Sequence, residues 1–121
     1  MAVQQLFAGT PVTDFDAALA WYERFMGKPP DFFPHEREAV WQVTDSGWIY
    51  IVEDADRAGG GLMTFMVDDL EALRADIAQR GVEVGEINWV VPGEARSAWL
   101  TDPEGNRIQL AEVHGGDSGL A

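Results

Sequence analysis

The chain has 121 residues, 46% hydrophobic and 24% charged, with 8 basic and 21 acidic side chains for a net charge of −13. That is one domain's worth of core in an ordinary globular composition, and its charge repels phosphate backbones, which argues against a nucleic-acid partner. The lack of cysteine excludes disulfides, thiolate metal sites and cysteine nucleophiles, and only two histidines, His35 and His114, exclude a site built from several imidazoles. No apolar run approaches the ~18 residues of a membrane span, and Met1-Ala2-Val3-Gln4-Gln5 lacks the basic and apolar regions of a secretory signal. No membrane partner is expected, and the expected location is the cytoplasm.

In chain order, residues 4–11 read as a short apolar strand. Thr13 and Asp14 are good helix caps, and Asp16 stands three residues beyond Thr13. Leu19, Tyr22 and Phe25/Met26 recur at helical spacing, and Gly27 with Pro29-Pro30 ends the helix. Strands are expected at 31–36, 38–45 and 48–53, with Asp45-Ser46-Gly47 as a turn. Gly59-Gly60-Gly61 marks a junction. A strand at 62–67 follows, then a helix capped by Asp68 with Glu71 at the reciprocal position. Leu70, Leu73 and Ile77 form its buried stripe, and Gly81 ends it. Strands are expected at 82–90, 96–101 and 106–113, with Asp102-Pro103-Glu104-Gly105-Asn106 turning between the last two. Residues 114–121 read as a loose, glycine-rich tail.

The two halves repeat. Val12-Thr13-Asp14-Phe15-Asp16-Ala17 aligns with Val67-Asp68-Asp69-Leu70-Glu71-Ala72 at an offset of 55, Thr44-Asp45 with Thr101-Asp102 at 57, and Ile49-Tyr50-Ile51 with Ile108-Gln109-Leu110 at 59. Each half is strand, helix, then three strands. The expected fold is α+β, with βαβββ modules at 1–57 and 58–113 related by a pseudo-twofold. Neither module is large enough to bury its own sheet, so curved mixed sheets should enclose a cleft.

Val12-Thr13-Asp14, Trp21-Tyr22 with Gly27, and above all Asp102-Pro103-Glu104-Gly105-Asn106-Arg107-Ile108-Gln109-Leu110 resemble the vicinal oxygen chelate superfamily. This is the glyoxalase, bleomycin-resistance and extradiol dioxygenase group, and the resemblance covers residues 5 to 113. It implies the paired-module fold. It does not imply one activity, because isomerases, epimerases, thiol transferases, dioxygenases and pure binding proteins share that fold.

The resemblance also implies where a metal would sit. In the family's enzymes, His or Glu ligands stand at matching positions of the first and last strand of each module. Here those positions are Phe7, Tyr50, Leu62 and Gln109. Phe and Leu have no lone pair to offer, Gln is a weak neutral donor, and neutral Tyr binds divalent metals poorly. The expectation is therefore no metal and no cofactor. His35 and Glu36 on the second strand are a thin alternative donor pair. No Gly-x-Ser-x-Gly elbow or phosphate loop is present.

Five tryptophans are many for this length. Trp21 fits the helix core. Trp41, Trp48, Trp89 and Trp99 lie in segments expected to form the sheets, where large rings serve either packing or ligand stacking. Phe7, Trp41, Trp48, Tyr50, Leu62, Trp89, Trp99 and Gln109 are the expected ligand-binding residues. Together with the acidic charge they suit a flat aromatic or cationic small molecule. The resemblance then implies a drug-sequestering binding protein, commonly a homodimer whose clefts are completed by a second subunit. The alternative is an enzyme of the same superfamily with relocated metal ligands or metal-free acid–base groups drawn from His35, Glu36, Glu38 and Tyr50.

Overall fold

The computed structural model describes residues 2–114. Ten elements follow in the order βαβββ–βαβββ: β1 (Leu6–Val12), α1 (Phe15–Met26), β2 (Phe32–His35), β3 (Glu38–Thr44), β4 (Gly47–Glu53), β5 (Leu62–Met66), α2 (Leu70–Gln79), β6 (Asn88–Val91), β7 (Ala95–Thr101) and β8 (Arg107–Val113). Each module makes one four-stranded mixed sheet, ordered β1-β4-β3-β2 and β5-β8-β7-β6. β1 pairs parallel to β4, as β5 does to β8, because a helix returns the chain across the sheet between them. The expected α+β fold of two βαβββ modules is the observed one.

Helix α1 starts at Asp14, whose side chain accepts from the Ala17 amide at 3.1 Å, and ends at Gly27 in the left-handed region, φ 76°. The cap of α2 is Asp69, not the expected Asp68, with the equivalent bond to Ala72. Neighbouring aspartates compete for this position, and the backbone turn settles which of them reaches the third amide.

The last strands differ from expectation more widely. Residues 82–90 do not form one strand. β6 begins only at Asn88, and Val82 and Val84 are buried without joining a sheet. Alternating valines bury equally well in an irregular segment lying against a core. That segment packs its valines into the core and bonds to the sheet backbone where Gly85 donates to the Trp99 carbonyl at 2.8 Å. β2 is likewise shorter than 31–36. Glu36 falls in the turn before β3 and not on the second strand as expected. Of the expected 114–121 tail, all but His114 lies outside the described residues.

One face of each sheet packs on the helices. Trp41, Ile49 and Ile51 from the first sheet and Ala98, Leu100, Ile108 and Leu110 from the second join α1 and α2 in a single core. At about 25 cal/mol per Å² of apolar surface removed from water, this shared core is the main term holding the modules together. Phe25 of α1 stacks on Phe65 of β5 at 5.8 Å, which carries the core across the module boundary.

The turn between β7 and β8 ties the modules together with polar bonds. Asp102 Oδ1 accepts from the amides of Glu104 and Asn106 at 2.8 and 2.9 Å, closing the turn on itself. Asp102 Oδ2 accepts from Asn106 Nδ2 and from the Tyr22 hydroxyl of α1, both at 2.8 Å. Asn106 Oδ1 accepts from Gly61 N at 2.7 Å, and a Cβ on Gly61 would stand 2.7 Å from that oxygen. Glu104 reaches the backbone amide of Asp14 at 2.7 Å, and this bond holds its carboxyl below the usual range. Asp102, Glu104 and Asn106 of the stretch that carries the family resemblance are thus structural: they clamp the second module onto α1 and the Gly61 junction.

Candidate functional site

Strand alternation places the remaining side chains on the faces turned away from the helices. On the first sheet these include Phe7, Trp48, Tyr50, Val40 and Gln42, matched by the pairs Phe7–Trp48, Val40–Tyr50 and Gln42–Trp48. On the second sheet they include Leu62, Thr64, Arg107, Gln109 and Trp99, matched by Leu62–Arg107, Thr64–Gln109 and Trp99–Gln109. These two open faces are the candidate site. Phe7 and Leu62 are 45% and 67% exposed there, far more than a packed core side chain.

The first open face is aromatic. Phe7 stacks on Trp48 with ring centres 5.5 Å apart and planes 7° from parallel, and Phe32 meets Trp48 edge-on at 5.9 Å. Trp48 Nε1 donates to Gln5 at 2.8 Å, which fixes the ring. The Tyr50 ring lies across Gly9: a Cβ there would come within 2.3 Å of the ring carbon bearing the hydroxyl. Only glycine leaves room for this ring on the neighbouring strand.

The second open face is polar and basic. The Arg107 guanidinium lies 4.2 Å from the centre of the Trp99 ring. Thr64 Oγ1 donates to Gln109 Oε1 at 3.1 Å, which engages the oxygen end of the Gln109 amide. The expected stacking surface of Trp99 for a cation is therefore already taken by a cation of the chain itself.

Six of the eight expected ligand residues fall on these faces: Phe7, Trp48 and Tyr50 on one, Leu62, Trp99 and Gln109 on the other. The other two do not. Trp41 is fully buried on the helix side, and its Nε1 donates to the Lys28 carbonyl at 3.0 Å. Its parity opposes that of Val40 and Gln42, so it is core. Trp89 pairs with Arg96, whose guanidinium lies 5.5 Å from its ring, on the side facing α2. The sheet reading missed Phe32, Gly9, Thr64 and Arg107. Arg107 shares the parity of Gln109 two residues on, a signal the sequence did contain.

The acid–base candidates His35, Glu36 and Glu38 gather around the β2–β3 turn. His35 and Glu38 face each other at 3.2 Å at the β2–β3 end of the first sheet, while Glu36 lies in the turn. A larger ionic cluster sits on the helix side of the second module. Glu112 accepts from the Leu70 amide at 2.7 Å, from Arg96 at 2.8 Å, and contacts His114. The Leu70 amide and then the Arg96 guanidinium hold the Glu112 carboxyl at about 2. Arg96 also reaches Glu71 at 2.9 Å. In the first module Arg37 stands 3.9 Å from both Asp16 and Glu53, the same acid–arginine–acid arrangement repeated. The Glu112 bond to the Leu70 amide pins the start of α2 to β8.

Residues 5–110 match the family described as the Glyoxalase/Bleomycin resistance protein/Dioxygenase superfamily. The chain belongs to this superfamily. It is 43% identical to a glyoxalase/bleomycin resistance protein from Catenulispora acidiphila DSM 44928. That similarity has a TM-score of 0.85 and covers 91% of this chain and 98% of the other. More distant superfamily structures share the fold. A putative glyoxalase family protein from Bacillus anthracis has 19% identity and a TM-score of 0.70, covering 94% of this chain and 96% of that one. A lactoylglutathione lyase from Agrobacterium tumefaciens has 18% identity and a TM-score of 0.70, covering 88% and 91%. No curated protein matches the chain.

The superfamily's metal ligands do not fit here. The four positions at which the resemblance implies metal ligands are Phe7, Tyr50, Leu62 and Gln109, all on the open faces and none an imidazole or carboxylate. Among the described residues no group of three or more His, Asp or Glu side chains is placed to hold a metal ion. The donor set therefore does not suit a catalytic divalent cation. Among the described residues no helix is long and apolar enough to cross a membrane.

Proposed function

We propose that this superfamily member is a metal-free binding protein that sequesters a flat, antibiotic-like aromatic molecule without altering it. What supports this reading is that Phe7, Tyr50, Leu62 and Gln109, the positions where the resemblance implies metal ligands, carry no imidazole or carboxylate and lie on open faces with aromatic rings, amides and one guanidinium. Rings supply stacking area at low entropic cost, and a few polar groups orient the guest. The enzyme alternative has less support, because His35 and Glu38 engage each other and Glu36 lies in a turn.

The binding unit in this reading is a homodimer. β1 and β5 are the outermost strands of their sheets, and each carries exposed apolar residues, Leu6 and Phe7 on one, Leu62 and Met66 on the other. An apolar strand edge left uncovered invites pairing with another chain. A second copy that brings its β5 beside β1 places the aromatic face of one protomer opposite the amide face of its partner and makes two equivalent clefts.

The test is titration of the purified protein with planar aromatic antibiotics and simpler planar aromatic compounds, followed by tryptophan fluorescence and by mass analysis of the recovered compound. Saturable binding of one molecule per cleft to a dimer, with the compound recovered intact in the presence of chelator, is the expected result. Chemical conversion of the compound, or binding that survives unchanged in both Trp48→Ala and Trp99→Ala, would overturn the reading.

A further inference from the structure

The chain carries a net charge of −13, yet the open faces hold almost none of it. The only carboxylate in strands β5 to β8 is Glu112, and it turns to the Leu70 amide on the helix side. In β1 to β4 there are two. Glu53 shares the helix-side parity of Ile51 and lies 3.9 Å from Arg37, while Glu38 shares the open face of Val40 but stands four residues along β3 from Gln42, the partner of Trp48, and lies 3.2 Å from His35. What the second open face presents instead is donors: the exposed Arg107 guanidinium, over the Trp99 ring at 4.2 Å, and the Gln109 amide, whose oxygen is engaged by Thr64 at 3.1 Å.

We infer that the guest is a planar aromatic acid, its ring system lying on Phe7 and Trp48 and its anionic group taken by Arg107 and the Gln109 amide. The inference rests on the cleft reading above and refines its ligand class. A guanidinium stacked on an indole keeps its N–H edge free and has lost much of its rotamer freedom, so it meets a carboxylate at reduced entropic cost. A cationic guest would meet Arg107 across the face that its charge needs. Exposed charges separated by more than roughly 8 Å are screened at physiological salt, so the donors on the face itself weigh most in its sign.

Three probes of one shape and different charge test this: 2-naphthoate, 2-naphthamide and 2-naphthylmethylammonium, titrated calorimetrically at physiological ionic strength. The naphthoate should bind at least about tenfold more tightly than the other two, the scale of one charge-assisted contact. In Arg107→Gln the three affinities should converge to within about threefold. In Arg57→Gln, which removes an equal charge from an exposed residue 3.0 Å from Asp54, the preference for naphthoate should persist. Equal or tighter binding of the amide or the ammonium overturns the inference and leaves the cleft reading standing, as does an unchanged preference in Arg107→Gln. Failure of all three probes to bind overturns the cleft reading together with the inference.

Discussion

The Tyr22 hydroxyl lies 2.8 Å from Asp102 Oδ2, joining residues 80 positions apart in a fully buried hydrogen bond between α1 and the β7–β8 turn. Burial and the neighbouring carboxylate both push the Tyr22 phenol above its ordinary range, so it remains a neutral donor at any working pH. Replacing Tyr22 with Phe leaves one carboxylate oxygen short of a donor. The expected cost is about 1–3 kcal/mol of unfolding free energy by urea denaturation. A variant as stable as the parent would show that the clamp contributes nothing to joining the modules.

Glu112 sets an acid limit on stability. Its carboxyl is held at about 2, against 4.5 for the free group. A lowered folded-state value means the unfolded chain takes up the proton first. The stabilisation is therefore complete above about pH 4.5 and is lost as the pH falls from there towards 2. The unfolding free energy of Glu112→Gln should be lower than that of the parent at neutral pH and should fall less steeply over that window. Parallel pH profiles for the two proteins would remove Glu112 from the account.

Trp41 and Trp48 are close in sequence and opposite in role. Trp41→Ala empties a fully buried site and strands the Lys28 carbonyl, with an expected loss of about 3–5 kcal/mol. Trp48→Ala acts on the open face. It should cost under about 1 kcal/mol in stability while weakening aromatic ligands about tenfold or more. Thermal melts and fluorescence titrations of the two variants separate core from site.

Gly9→Ala probes the placement of Tyr50. The new methyl would stand 2.3 Å from the tyrosine ring, which must swing off β1 into the cleft. Because the ring is partly exposed and free to move, the fold should survive with a small change in melting temperature. Ligand affinity should fall more than stability does. Unaltered binding would show that Tyr50 takes no part.

Chelator should change nothing. Native mass spectrometry of protein exposed to zinc, manganese or nickel should show no stoichiometric metal, and ligand affinity should be the same with and without chelator. A bound divalent ion at one per cleft would mean that donors other than Phe7, Tyr50, Leu62 and Gln109 assemble a site.

Much of this molecule is readable from its sequence. The repeat at offsets of 55 to 59 and the turn at Asp102–Asn106 yield both modules, both helices and the superfamily, because they reflect local chemistry: caps, turns and a strict period. The absence of lone pairs at Phe7 and Leu62 is equally a property of the residue types. What the sequence could not assign is which face a ring occupies. Trp41 and Trp48 have the same side chain, and strand parity separates them only once the register of β3 against β4 is known, with its shift between Gln42 and Thr44. The valines at 82 and 84 alternate as in a strand, yet they bury in an irregular segment, because burial follows from the surrounding core and not from sheet pairing. The charge of the open faces was likewise beyond composition. A net charge of −13 is a sum over the surface, and only the fold places Glu112 under α2 and Arg107 on Trp99. Local patterning thus determined the elements and excluded the metal donors, while the site's wall and its sign arose from pairings between strands far apart in the chain.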